Sequence, residues 1–187
     1  DVMAELGPAL HRLAQRGGVA VIPVFAVGRA QEILHTISQL KITGALPTSL
    51  PVFLDSPMAI QTTHLMGHYM DEHRLSPAQV RALTHSATMV ATPEDSKALA
   101  RRHGPMVILA ASGMATGGRV LHHLSLYASD HRNLIVLTGF QAPGTRGASL
   151  AEHHGAVRIH GRDVTVNAEV VQLQSASAHA DATQLLA

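Results

Sequence analysis

One histidine near the end of the sequence stands where a proton donor could act. The stretch SASAHADATQLLA places His179 among small residues that leave its imidazole unshielded, directly before a helix start. Asp181 can accept hydrogen bonds from the free N–H groups of the first helical turn, and Gln184 completes a pattern similar to a capping box. A histidine in this position can serve as a general acid. The same pattern is also typical of a plain helix cap, and the spacing leaves both interpretations open.

Three loops between strand and helix patterns could bind an anion. The first, FAVGRAQE, places Arg29 at the positive end of a helix, where it favours a nearby anion but could equally be a solvated surface arginine. The second, FLDSPMA, is typical of an ordinary helix start in which a cap precedes a proline. The third, LAASGMATGGRVLHH, contains Ser112 and Gly113, whose small size lets backbone amides approach a phosphate, and Arg119 could add a charge-assisted contact. This loop matches neither glycine-rich nucleotide fingerprint, so a phosphate cradle and a tight turn both stay open.

The fourteen histidines of the sequence raise the question of a metal site. His64 and His68 have the spacing that places two side chains on one helix face, but no glutamate base lies between them. The pairs His122-His123 and His153-His154 are adjacent and therefore point in different directions on a helix. Catalytic zinc needs about three convergent protein ligands. We therefore expect surface or half-buried histidines and no metal site in this chain.

Strand and helix patterns alternate along most of the sequence. Short aliphatic runs predict buried strands (VAVIPVF, VFLD, ATMVA, MVILA and NLIVLTG), and amphipathic stretches such as GRAQEILHTISQL predict helices between them. A first helix is expected near the amino terminus, with Pro8 in its first turn. The alternation predicts an α/β fold, with a mostly parallel sheet of five or six strands and helices on both faces. The three loops would then meet at the carboxyl ends of the strands.

The pattern changes after about residue 140. There the segments VRIHG and VTVNAEVVQL predict a β-hairpin with its turn near Gly161-Arg162.

Composition limits the classes of function that the chain can have. It has 187 residues, of which 46% are hydrophobic and 14% charged, which predicts one domain, or one domain plus a remnant of another, with an aliphatic core. The net charge of +1 excludes a broad electrostatic surface for nucleic acid, so phosphate binding would have to be local. The absence of cysteine excludes disulfides and thiolate metal sites and is compatible with the cytoplasm. No apolar run approaches the roughly 20 residues of a membrane helix. The abrupt start and the short last helix suggest a piece of a longer protein.

Several motifs, taken together and in order, resemble a known family. The segments GGVAVIPVFAVGRAQEIL, VFLDSPMA, LAASGMATGGRVLHHL, LTGFQAPGTRG and SAHAD are similar to the β-CASP domain of the metallo-β-lactamase-type RNA nucleases. This group includes the cleavage-and-polyadenylation endonuclease, and SAHAD favours its bacterial, RNA-cleaving branch. The resemblance implies a β-CASP domain over residues 1–172. Residues 173–187 would then be the truncated start of the returning metallo-β-lactamase domain.

The resemblance also implies roles for individual residues. His179 corresponds to the motif B histidine, proposed to protonate the leaving oxygen at the scissile phosphate. Arg29, the Ser112-Gly113 turn and Arg119 would face the RNA groove, and Ser177 would contact phosphate beside the histidine.

The zinc motif H-x-H-x-D-H of that family, its motif A acid and its motif C histidine are all absent from this sequence. The resemblance therefore implies two zinc ions in the full-length parent enzyme and none in this fragment, which we expect to be inactive alone. Its implied partners are RNA and the metallo-β-lactamase domain of the same parent chain, without a membrane, and a homodimer is left open. Two other classes stay open from the residues alone. One is a nucleotide- or sugar-phosphate-binding module without catalysis, and the other is an interaction domain whose hairpin packs on a partner.

Overall fold

The secondary structure follows the alternation of the sequence. A computed structural model describes residues 1–176. The helices are α1 Val2–Arg16, α2 Arg29–Ile42, α3 Pro57–His68, α4 Pro77–His85, α5 Pro93–Leu99, α6 Arg119–Tyr127 and α7 Arg146–Ala151, with a 3-10 turn at Met70–Glu72. The strands are β1 Val19–Pro23, β2 Val52–Asp55, β3 Thr88–Met89, β4 Met106–Ala110, β5 Leu134–Leu137, β6 Ala156–Ile159, β7 Arg162–Thr165 and β8 Glu169–Gln172.

Six of these strands form one parallel sheet. Their order is β3-β2-β4-β1-β5-β8, and every neighbouring pair is parallel. The predicted α/β fold with a mostly parallel sheet is thereby confirmed. The central strands are continuous aliphatic runs because helices cover both of their faces, which leaves no solvent-facing side for polar residues.

The core consists of two layers, one on each face of the sheet. Alternate residues of β1 point to opposite layers, with Ala20 and Ile22 in one and Val19 and Val21 in the other. The first layer is completed by α1, α2, α3 and α4, and the second by α5, α6, α7 and the β6–β7 hairpin. Nearly all of these core side chains are aliphatic, as the composition predicts.

Helix α1 starts earlier than its proline suggests. Asp1 is the N-cap and its carboxylate accepts a hydrogen bond from the Met3 N–H at 3.0 Å, so Pro8 lies inside the helix and not in its first turn. The expectation for Pro8 is therefore wrong. A proline in a helix interior removes one hydrogen bond, and here the burial of Leu6 and Leu10 against the sheet holds the helix together across it.

The hairpin is shorter than the sequence predicts. Strands β6 and β7 are joined by a two-residue turn at His160 and Gly161, both with positive φ, which is typical of tight hairpin turns. Asn167 and Ala168 then donate their N–H groups to the carbonyl of Ala128, which directs the chain back to the main sheet. Consequently the segment after residue 168, predicted as part of the hairpin, instead forms β8 and pairs in parallel with β5.

No helix within residues 1–176 combines the length and the apolar character that crossing a membrane requires.

Candidate functional site

The loops that follow β1, β2, β4 and β5 lie at one edge of the sheet. All six strands are parallel, so their carboxyl ends share this edge, where ligands of open α/β sheets usually bind. The end of the described chain also reaches it. A Cβ placed on Gly139, two residues after β5, would come within 2.7 Å of the carbonyl oxygen of Ala176. We call this region the carboxyl edge. Ser177 and His179 follow in the sequence and lie outside the described residues.

The loop between β4 and α6 is a tight turn closed by its own hydrogen bonds. The Thr116 N–H donates to the Ser112 hydroxyl at 3.1 Å, and the two hydroxyls are 3.0 Å apart. The Ala115 N–H donates to the carbonyl of Ser112, and the Val120 N–H donates to that of Ala111. The Ser112 hydroxyl therefore holds the loop in shape. Its predicted contact with phosphate stays a prediction.

Gly118 is the N-cap of helix α6 and has a conformation that favours glycine. Its φ is +76°, and a Cβ there would overlap the carbonyl oxygen of Ala111. We expect Gly118→Ala to lower the free energy of unfolding by about 1–3 kcal/mol, because the strained backbone and the overlap both have to be accommodated. Thermal unfolding measures this change. Gly117→Ala is the matched control, since a Cβ there meets nothing within 4 Å. Equal melting temperatures for the two variants would contradict the expectation.

Asp55, the last residue of β2, is the centre of a buried polar network. Its carboxylate is fully buried and accepts hydrogen bonds from Arg119 Nη1 at 2.7 Å, from His123 Nε2 at 2.7 Å and from the Ser96 hydroxyl at 2.6 Å. Burial alone would raise the pKa of the Asp55 carboxyl. The hydrogen bonds from His123, Ser96 and Arg119 outweigh that effect and hold its pKa below the ordinary value. The carboxylate is therefore ionised at neutral pH and ties together β2, α5 and α6.

Arg119 is turned toward this network. Besides Asp55, its guanidinium donates to the carbonyls of Val90 and Ala91, each at 3.0 Å, and its side chain is 21% exposed. Arg119 thus connects the ends of β2 and β3 to the start of α6. The predicted contact of Arg119 with phosphate stays a prediction, and it would involve the part of the side chain that is exposed.

Arg29 is the first residue of α2 and belongs to the same edge. Its guanidinium pairs with Glu32 one turn later, and its side chain is 9% exposed. The loop before Arg29 contacts the β4–α6 loop, since a Cβ placed on Gly113 would come within 2.7 Å of the Phe25 ring. The structure therefore brings Arg29, Ser112, Gly113 and Arg119 to one edge of the sheet.

Sequence reasoning missed Asp55 and His123. The FLDSPMA loop is a cap followed by proline as predicted, with Ser56 as the N-cap and Pro57 as the first helical residue, but it also contains the centre of the network. His123 was expected at the surface or half-buried, and this is wrong, since it is fully buried. The spacing of Arg119 and His123 could have indicated the network, because residues four apart lie on one face of α6.

Within residues 1–176, no group of three histidine, aspartate or glutamate side chains could hold a metal ion. The predicted helical neighbours His64 and His68 interact through the backbone, since Nδ1 of His68 lies 2.9 Å from the carbonyl oxygen of His64. The described residues therefore do not fit a zinc ion.

The open parallel sheet, with the loops that follow its strands at the carboxyl edge, defines an α/β domain of the doubly wound type. Residues 30–150, more than half of the chain, match the family model of the Beta-Casp domain. The chain therefore belongs to the β-CASP family.

Relatives with this similarity come from bacteria and archaea. The chain is 38% identical to Ribonuclease TTHA0252 of Thermus thermophilus, over all of this chain and 44% of the relative. It is 32% identical to the transcription termination factor FttA of Methanosarcina mazei, over all of this chain and 31% of the relative. It is 31% identical to an RNase J-like protein of Methanocaldococcus jannaschii, over 97% of this chain and 42% of the relative. The chain thus spans less than half the length of these relatives.

Proposed function

We propose that this chain is the RNA-gripping β-CASP portion of a longer, zinc-dependent, cytoplasmic ribonuclease that hydrolyses RNA phosphodiester bonds. We call that longer protein the parent enzyme. The observation that carries the proposal is the similarity over the whole chain to a protein named as a ribonuclease. The position of Arg29, Ser112 and Arg119 at one edge of the sheet supports the proposal.

The chemistry of the described residues suggests that phosphate binding and zinc binding belong to different domains of the parent enzyme. These residues offer cations and hydroxyl groups at the carboxyl edge, which suit phosphate binding, but no set of ligands for zinc. Two zinc ions would therefore be held by the metallo-β-lactamase domain of the parent enzyme. His179, proposed as the general acid, would act only when that domain is present.

We expect the isolated chain to cleave no RNA, whereas the parent enzyme cleaves it in a manner that a chelator suppresses and zinc restores. Electrophoresis of end-labelled RNA measures both. Elemental analysis of the isolated, tag-free chain should show no stoichiometric zinc. Cleavage of RNA by the isolated chain would contradict the proposal. The proposal would also be contradicted if the parent enzyme bound a mononucleotide saturably and cleaved no RNA. The second result would favour a non-catalytic phosphate-binding module.

Arg29→Ala should weaken RNA binding by the parent enzyme roughly 10-fold, because that is the loss of affinity expected when one charge-assisted hydrogen bond to phosphate is removed. The slope of log affinity against log salt should become shallower by about 0.7, as expected for one lost phosphate contact on a single strand. Fluorescence anisotropy measures both quantities, in a His179→Ala background that slows cleavage during the measurement.

The matched control for Arg29 is Arg132→Ala. Arg132 also pairs with a neighbouring carboxylate, that of Asp130, but it precedes β5 and so lies at the opposite edge of the sheet. An equal loss of affinity in both variants would indicate a general effect of charge and would contradict a local phosphate contact at Arg29.

A further inference from the structure

Two of the three phenylalanines are exposed at the carboxyl edge. Phe25 follows β1 and is 47% exposed, Phe140 follows β5 and is 65% exposed, and only Phe53 is in the core. Val27 and Met58 add exposed apolar surface at the same edge. In a chain with so few aromatic residues, exposed rings grouped at one edge mark a surface for interaction.

Phe25 and Phe140 follow neighbouring strands of the sheet. Strands β1 and β5 pair in parallel, so their backbones are about 5 Å apart. The Thr138 hydroxyl at the end of β5 donates to the carbonyl of Pro23 at 3.0 Å, which holds the two strand ends together. Phe25 and Phe140 therefore start from adjacent positions.

Both phenylalanine-bearing loops are fixed to the β4–α6 loop. The ring of Phe25 lies against Gly113, where a Cβ would come within 2.7 Å of the ring atom Cδ2. The side-chain amide of Gln141, directly after Phe140, is buried and donates to the carbonyls of Gly113 at 3.4 Å and Gly139 at 3.3 Å. Rings on fixed loops lose little conformational entropy when a flat ligand binds to them.

Electrostatics alone would give this chain a weak affinity for RNA, because its net charge is only +1. Proteins that bind single strands combine local cations with aromatic rings on which bases stack. The carboxyl edge contains both, since Arg29 begins α2 four residues after Phe25.

We propose that Phe25 and Phe140 are base-contacting residues of the carboxyl edge and stack against unpaired bases of RNA. This inference rests on the proposed function and deepens it by naming the residues that contact the bases. A duplex keeps its bases stacked on one another and cannot offer their faces to the two rings. Arg29 would contact the backbone, and the rings would contact the bases.

The test compares oligoadenosine with an abasic ribose-phosphate oligomer of the same length, using the parent enzyme in a His179→Ala background. Replacing both rings, as Phe25→Leu with Phe140→Leu, keeps the surface apolar and removes the aromatic faces. We expect this variant to bind oligoadenosine at least about 10-fold more weakly and the abasic oligomer as tightly as before. Arg29→Ala should weaken the binding of both oligomers. Tyr69→Leu is the matched control, because Tyr69 is also exposed but lies at the far end of α3, and it should change neither affinity.

A second readout is ultraviolet cross-linking of 5-iodouridine RNA, which we expect to label peptides that contain Phe25 or Phe140. Unchanged affinity of the double variant for oligoadenosine would overturn base stacking while leaving the proposed ribonuclease function intact. An equal loss of affinity for both oligomers would also overturn base stacking. If the double variant then melted at a lower temperature than Tyr69→Leu, the rings would be shown to pack against another domain of the parent enzyme. A parent enzyme that binds no RNA would instead contradict the proposed function itself.

Discussion

Replacing His179 with alanine in the parent enzyme should lower the rate of RNA cleavage by about 10²–10⁴-fold, the usual contribution of general acid catalysis. The leaving oxygen at the scissile phosphate would then depart without a proton from the protein. Zinc content should be unchanged, because the proposed metal ligands belong to the other domain. Single-turnover cleavage with saturating enzyme separates this chemical step from binding, and elemental analysis reports the metal.

The control for His179 is His131→Ala. The side chain of His131 is 86% exposed, and the residue lies before β5 at the opposite edge of the sheet, so cleavage should proceed at the wild-type rate. If His179→Ala also cleaved RNA at the wild-type rate, the assignment as a general acid would be wrong. The SAHAD stretch would then be a helix cap only.

Asp55→Asn should strongly destabilise the fold, lowering the free energy of unfolding by about 3 kcal/mol. The substitution removes the negative charge that balances Arg119, whose guanidinium stays largely buried. It also replaces one carboxylate oxygen with an amide NH2 group, whereas in the wild type Oδ2 accepts hydrogen bonds from both His123 and Ser96. For a chain of this size the melting temperature should fall by about 6–12 °C. Thermal unfolding of the isolated chain measures the change.

Asp163→Asn is the matched control for Asp55→Asn. Asp163 also pairs with an arginine, Arg158, but both side chains are 71% exposed, so the change in stability should stay below about 0.5 kcal/mol. A melting temperature of Asp55→Asn equal to that of Asp163→Asn would show that the buried network contributes little to stability.

The network also predicts how stability depends on pH. The pKa of Asp55 in the folded protein lies below its unfolded value of 3.8, so its contribution is fully present above about pH 4 and is lost as the pH falls through the folded pKa. The difference in stability between the wild type and Asp55→Asn should therefore shrink below about pH 4. A difference that stays constant down to the acid transition would contradict an ionised Asp55 as the source of the stability.

Most of the alternating strands and helices as far as β5 could be predicted from residue patterns, but α4 was not. Aliphatic runs such as MVILA (β4) are strands because both of their faces are covered, and the stripe of Ala30, Ile33 and Ile37 indicates the buried face of α2. These are local signals, so they are visible without any contact between distant residues. The similarity of the motifs to the β-CASP family was visible in the same way, and the family match confirms it.

Two local predictions were wrong because distant contacts overrode them. Pro8 resembles a helix start, but the burial of Leu6 and Leu10 against the sheet keeps the helix continuous across it. The segment Glu169–Gln172 has the pattern of a hairpin arm, but its backbone pairs with β5, and Glu169 forms ion pairs with arginines of α1. Neither contact can be inferred from the neighbouring residues.

The sequence by itself determined which side chains of this protein could do chemistry and the class of fold that presents them. Only the tertiary structure decided which of them meet. Asp55 lies 64 residues before Arg119 and 68 before His123, and no local pattern indicates that a buried carboxylate pairs with both. The same is true of Phe25 and Phe140, whose strands become neighbours only when the sheet is assembled. The physical reason is that burial and pairing depend on the packing of separate elements, whereas helix and strand patterns depend on adjacent residues.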